Sequence, residues 1–173
     1  NFLAFRVNTI ANLGAYLGSM TPHSMTNNLG GLAGVYTTPH IYTSVSGVFT
    51  NTNWVGPYRG AGRPEASLAI EKAIDRAATE MGFDRVELRM QNLIRPDELP
   101  YQTGLIFNYD SGDFPDVLKK ASKIADYKNF ERRRLEAAKR GKLRGVGVAF
   151  AIEQSAAPIE EFAEVRFDAS GHC

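Results

Sequence analysis

Residues 51–82 read NTNWVGPYRGAGRPEASLAIEKAIDRAATEMG, and the fold is decided at the change of texture inside them. The first part is turn chemistry: Pro57, the aromatics Trp54 and Tyr58, Arg59 and Arg63, and glycines at positions 56, 60 and 62. From Pro64 the apolar residues recur at helical spacing. Ala66, Ile70, Ala73, Ile74, Ala77 and Met81 fall on one face, while Glu71, Lys72, Asp75, Arg76 and Glu80 fall largely on the other. Pro64 suits a first helical turn, where its missing N–H is not needed, and Gly82 suits a left-handed C-terminal cap.

Upstream, residues 2–7 alternate as a strand does, and 41–50 are rich in β-branched and aromatic residues. Between them, 14–34 holds glycines at 14, 18, 30, 31 and 34 and reads as loop with one short helix. Downstream, Asp84 and Glu87 resemble a capping box that opens a second helix ending before Pro96. A third helix starts near Asp113 and turns Val117, Leu118, Ala121, Ile124 and Ala125 inward. A fourth covers about 129–139 and ends at Gly141. LRGVGVAFAIE (143–153) and FAEVRFD (162–168) read as strands joined by a loop through Pro158. Strands, then helices, then strands without regular alternation make an α+β pattern, with a seam near Gly141.

The 173 residues suffice for one domain or pieces of two, and 43% hydrophobic with 23% charged residues is ordinary globular composition. A formal charge of +1 gives no general pull toward nucleic acid or acidic membranes, and no apolar run reaches the ~20 residues of a membrane span. A single cysteine, Cys173, excludes an internal disulfide and fits a reducing, cytoplasmic setting. His23, His40 and His172 follow no metal-ligand spacing. The start, NFLAFRVNTIANLGAY, lacks both Met and a basic leader, and the end stops after a turn signal. The expectation is an internal piece of a longer protein.

At the helix mouth, unpaired backbone N–H groups and the positive end of the helix dipole favour an anion or oxo group. Glycines allow close approach, and Arg59 and Arg63 add donors. A dinucleotide fingerprint fails because Glu65 stands where the third glycine belongs, and no Gly-Lys-Ser/Thr follows for a phosphate loop. From the residues alone, three readings stay open: a plain helix entry, a nucleotide loop on Gly60-Ala61-Gly62, and part of a cofactor pocket. The basic run 128–144 is a solvated helix or a surface for a partner subunit. Glu153, Glu160 and Glu161 are loop carboxylates or a general base.

Five stretches in order resemble one family: FLAFRVNTIANLGAYLG, GVFTNTNWVGPYRGAGRPEA, ELRMQNLIRPDELPYQTG, YDSGDFPDVLKKA and LRGVGVAFAIE. They are similar to the molybdenum-binding large subunits of the xanthine dehydrogenase, aldehyde oxidase and aerobic carbon monoxide dehydrogenase family. The YRGAGR stretch resembles its form II members. The resemblance implies that 1–141 belong to a first molybdopterin-binding domain and 142–173 begin a second. It implies a bacterial molybdenum–molybdopterin enzyme, with the cofactor in its cytosine dinucleotide form. FAD and iron–sulfur clusters would sit on partner subunits. The implied reaction hydroxylates an aldehyde or heteroaromatic carbon of a small molecule with oxygen from water. Tyr58, Arg59, Gly60 and Ala61 would line the cofactor pocket, with Arg59 donating near the metal. Gly60 stands where carbon monoxide dehydrogenases place the cysteine that binds copper, and a glycine offers Cu(I) no thiolate. Ala61 stands where purine hydroxylases place a stacking Phe. No catalytic residue is expected within these 173 residues, so they should be inactive alone. The alternative is a non-catalytic assembly domain that binds partner subunits through 128–144.

Overall fold

A computed structural model describes residues 1–26, 29–153 and 162–171. Strand β1 (Ala4–Gly14) and strand β2 (His40–Phe49) pair in parallel, with Ala4 opposite His40 and Asn12 opposite Val48. Parallel strands need a crossover of a dozen or more residues. Residues 15–39 supply it, carrying the short helix α1 (His23–Thr26) and a 3-10 turn (Leu29–Ala33). β1 runs well past the 2–7 expected of it. Asn8, Thr9 and Asn12 blur the alternation in sequence, yet their backbone is held by the β2 ladder. Among the described residues the pair has no third strand.

Helix α2 (Arg63–Met81) begins at Gly62 and ends at Gly82, whose φ of 72° gives the left-handed cap. Ala66, Ile70, Ile74 and Ala78 are buried, but Ala73 and Met81, expected inward, are exposed. Glu71, expected outward, is only 5% exposed. The reason lies on helix α3 (Arg85–Asn92), whose Arg89 is fully buried against α2. Arg89 Nε donates to Glu71 Oε2 at 2.9 Å, and Nη2 donates to the Glu71 carbonyl at 3.2 Å. Nη2 also lies 2.8 Å from Asp75 Oδ1, a charge contact rather than an aligned hydrogen bond. The Tyr36 hydroxyl donates to Glu71 Oε1 at 2.7 Å. Burial would lower the Arg89 pKa, but Glu71, Tyr36 and Asp75 outweigh it, and the guanidinium stays charged. Burial first, then the Glu71 carboxylate, pushes the Tyr36 hydroxyl well above the usual phenol range.

The apolar core surrounds this network with Val35, Tyr36, Ile70, Ile74, Ala78, Leu88, Leu93 and Leu118. Tyr36 meets Phe2 and Phe150 edge-on, at ring distances of 5.6 and 6.3 Å. The Asn92 side chain accepts from the Phe2 amide at 2.6 Å and so fixes the approach to β1. Asp84 caps α3 by accepting from the amides of Val86 and Glu87.

Beyond α3, strands β3 (Tyr101–Gln102) and β4 (Asn108–Tyr109) form a small antiparallel hairpin. The Tyr109 hydroxyl donates to the Gly34 carbonyl at 2.7 Å, and burial pushes its pKa up to about 12. Helix α4 (Phe114–Ile124) is capped by Asp113 and buries only Leu118 of its expected inward set. Val117, Ala121, Ile124 and Ala125 remain exposed. Helix α5 (Phe130–Ala138) ends ahead of Gly141, near where its sequence stops it.

The mixed helix-and-strand content is as the sequence predicts, but the order is not: the β3–β4 hairpin falls inside the stretch read as helical, and 142–153 and 162–168 form no ladder among the described residues. Residues 146–153 keep the alternation of a strand: Val148, Phe150 and Ile152 pack on the core, and the residues between them are exposed. A ladder needs a paired backbone as well as alternating side chains, and only the second is met here. Pro158 and the loop assigned to it lie outside the described residues.

Removing the Arg89 guanidinium would leave Glu71 with the Tyr36 hydroxyl and Asp75 with Arg85, whose Nη1 lies 3.9 Å from Oδ2, as their remaining partners among the described residues. Arg89→Met should cost about 3–5 kcal/mol in urea denaturation, and adding Glu71→Gln should recover part of it. A loss below about 1 kcal/mol would show that the network is incidental to the fold.

Candidate functional site

The turn that opens α2 is held from both sides. At its far end, Asn12 gathers the end of β1 and the start of the loop: Oδ1 accepts from Thr50 Oγ1 at 2.6 Å and from the Gly14 amide at 2.8 Å. Gly14 has φ +79°, and any Cβ there would strike Asn53 and Trp54. The Trp54 ring packs over Gly18 and Gly56, closing the loop back on the crossover.

At the near end, three consecutive residues are left-handed: Gly60 at φ 96°, Ala61 at 46° and Gly62 at 101°. For Ala61 that conformation costs about 1–2 kcal/mol, so the surrounding structure must enforce it. The Ala61 amide donates to the Tyr58 carbonyl at 2.6 Å, and the Arg63 amide to the Gly60 carbonyl at 3.0 Å. The Ala66 amide donates to the Gly62 carbonyl at 3.0 Å, starting the helical ladder. None of these three bonds uses the amides of Gly60 or Gly62. Gly62 is buried, as N-cap it has no side chain to cap the helix, and a Cβ at that position would overlap the Ser24 carbonyl. The helix N-terminus therefore lies beside a turn built for close backbone approach.

Around this turn the Tyr58 ring is 88% exposed and Arg59 is also exposed, with no ion pair among the described residues. Gly60 and Ala61 are half-buried. Tyr58, Arg59, Gly60 and Ala61 thus form one continuous lip at the mouth of α2. Arg63 points elsewhere: its Nη1 lies 2.9 Å from Glu153 Oε1, beside a cleft of about 530 Å³ also lined by Phe107, Asp110, Phe114 and Ile152. Sequence reasoning placed Arg63 with the anion donors and Glu153 with the candidate bases. In the structure each occupies the other.

The remaining candidates are dispersed. His23 is half-buried in α1, and His40 is exposed at the start of β2. Among the described residues, no group of three His, Cys, Asp or Glu side chains could hold a metal ion. Glu160, Glu161, His172 and Cys173 lie outside the described residues. In the basic run, Arg132 pairs with Glu136 at 2.7 Å and Arg134 with Glu131 at 2.6 Å. Arg133 donates to the carbonyls of Ala125 and Asp126 at 2.7 Å. All three of these arginines are engaged locally. No helix among the described residues is long and apolar enough to cross a membrane. The parts of the site invisible in sequence are Asn12, Ser24 and Trp54. Each acts through a tertiary contact that the sequence around it does not announce.

The chain matches the model of the molybdopterin cofactor-binding domain over residues 1–93. It is similar to the carbon monoxide dehydrogenase large chain of Afipia carboxidovorans, 34% identical over 87% of this chain and 20% of the relative. It is also similar to the xanthine dehydrogenase molybdenum-binding subunit of Escherichia coli O157:H7, 35% identical over 84% of this chain and 19% of that one. Among solved structures, quinoline 2-oxidoreductase from Pseudomonas putida 86 superposes with a TM-score of 0.72 at 30% identity, covering 80% of this chain and 18% of its own. The chain spans about a fifth of the length of the curated relatives it matches.

The turn's geometry makes opposite predictions for neighbouring positions. Gly62→Ala should lower stability by at least about 1–3 kcal/mol, because it adds strain and a clash. Ala61→Gly should be neutral or stabilising by up to about 1 kcal/mol, since relief of the left-handed cost offsets the added chain entropy. Thermal unfolding of both variants checks the pair. Equal losses would contradict a left-handed Ala61 beside a crowded Gly62.

Proposed function

Because the chain belongs to the molybdopterin cofactor-binding domain family, we propose that the lip 58–62 faces the cofactor of a molybdenum hydroxylase large subunit. The observation that carries this is the run of three left-handed residues at a glycine-capped helix N-terminus beside exposed Arg59. The donor set fits such a group. Arg59 is a planar, permanently charged fork suited to an oxo or phosphate oxygen. The amides of Gly60 and Gly62 add neutral donors, and the α2 dipole favours negative charge in front of them.

When bound, the cofactor supplies two-electron oxidation of a carbon, with oxygen taken from water. The chain's own residues bind and orient. Arg59 donates to the polar end of the cofactor, Tyr58 walls the lip, and Gly60 and Ala61 keep the floor clear of bulk. Gly60 carries no thiolate to hold copper, and Ala61 carries no ring to stack on a purine. The substrate class that fits is an aldehyde or a heteroaromatic ring other than a purine. We place the domain seam at 141–142. There Gly141 turns left-handed at φ 67°, and the Lys142 amide closes back on Ala137 at 3.0 Å. The cofactor takes its cytosine dinucleotide form, FAD and iron–sulfur clusters reside on partner subunits, and the setting is the bacterial cytoplasm. The catalytic base lies outside these 173 residues, so the stretch alone turns over no substrate.

The test uses a polypeptide of the relatives' length that contains this chain. Metal analysis should find about one molybdenum per polypeptide. Arg59→Ala should cut kcat by about 10²–10³ without unfolding the protein, and Arg59→Lys should restore part of it. Absence of molybdenum from the wild type, or an unchanged kcat in Arg59→Ala, would refute the assignment.

A further inference from the structure

The pair Arg63–Glu153 differs from the ion pairs that lie within one helix. Arg76–Glu80, Lys120–Asp116 and Arg132–Glu136 each span a single helical turn and tie nothing together. Arg63 and Glu153 join the first residue of α2 to the far end of the 146–153 segment. The Arg63 side chain is 17% exposed, so this end of the bond is shielded from solvent. At the other end of the same segment, Arg85 Nη1 reaches the Val146 carbonyl at 3.4 Å. Between these two arginines, Val148, Phe150 and Ile152 pack on the core. The segment pairs with no strand among the described residues. Among the described residues, that apolar face and the arginines at its ends hold it in position.

The turn on the other side of Arg63 is in a similar position. The N-cap Gly62 has no side chain of its own to fix the turn, and Ala61 is held in a left-handed conformation it would not choose alone. The Arg63 amide is one of the three backbone bonds that shape the turn, through the Gly60 carbonyl at 3.0 Å. Whatever restrains Arg63 therefore restrains the lip.

We propose that Arg63 and Glu153 form a latch between the lip 58–62 and the 146–153 segment, and that Arg63 is a positioning residue for the lip. Arg63 does not touch the ligand. It holds the turn in the conformation that leaves the Gly60 and Gly62 amides available. The role of the lip rests on the cofactor reading above, but the latch itself is a property of this chain. An exposed ion pair contributes about 0–1 kcal/mol to global stability, so the effect is local.

The experiment is amide hydrogen exchange on the complete polypeptide that carries this sequence, in wild type, Arg63→Gln, Glu153→Gln, and the exchanged pair Arg63→Glu with Glu153→Arg. Arg76→Gln on the same helix is the control. Exchange at the amides whose bonds shape the turn, those of Ala61, Arg63 and Ala66, should rise about tenfold in both single variants while the middle of α2 is unchanged. The exchanged pair should return it toward wild type. Glu153 is more than half exposed, so its variant tests the latch even if Arg63→Gln fails to fold. Unchanged exchange at Ala61, Arg63 and Ala66, or a rise spread evenly over all helices, would overturn the proposal. Molybdenum content of the same samples separates the two readings. A metal-free wild type sinks the cofactor assignment, while the latch stands or falls on exchange alone.

Discussion

Everything in this fold is referred to one buried cation. Arg89 has no exposure to water, and a lone guanidinium in that position would cost several kcal/mol. It is tolerated because α2 brings Glu71 and Asp75 to it and the crossover brings Tyr36. That requirement fixes how α2 and α3 pack, and where the crossover passes. The orientation of α2 in turn sets where its N-terminus points, and the candidate site is that N-terminus. A well-packed apolar trio would be at least as stable in principle. What the charged network adds is a unique register: sliding α3 by one turn would leave a carboxylate buried without its partner.

Local chemistry made much of the fold legible. Pro64 and Gly82 bracket α2 in sequence as they do in space, and Asp84 and Asp113 cap the helices they precede. These signals work because a cap or a fixed φ is decided within a few residues. The inward and outward faces were less legible. Glu71 reads as a surface residue until Arg89 is known to lie opposite it, and a helical wheel holds no information about a neighbouring helix. Val117 and Ile124 fail in the opposite sense, because an apolar stripe reports what a residue could bury and not what it meets. The unpaired 146–153 segment shows the same division: its alternation is in the sequence, while the ladder depends on another stretch of backbone.

At the candidate site, the sequence singled out the turn but could not sort its residues. Arg59 and Arg63 look equivalent as donors. Only the structure separates an exposed guanidinium at the lip from one committed to Glu153. The left-handed run through Ala61 was also hidden, since alanine carries no preference for that region. The likeness to molybdopterin-binding relatives supplied the ligand class that electrostatics alone left open between anions of many kinds.

The central claim is that the lip 58–62 meets the cofactor directly. The most direct measurement is an experimental structure of the cofactor-loaded polypeptide containing this chain. The account predicts a cofactor polar atom within about 3.2 Å of the Arg59 guanidinium or of a Gly60 or Gly62 amide, with 60–62 still left-handed. A loaded structure in which these donors face only protein or solvent would contradict it.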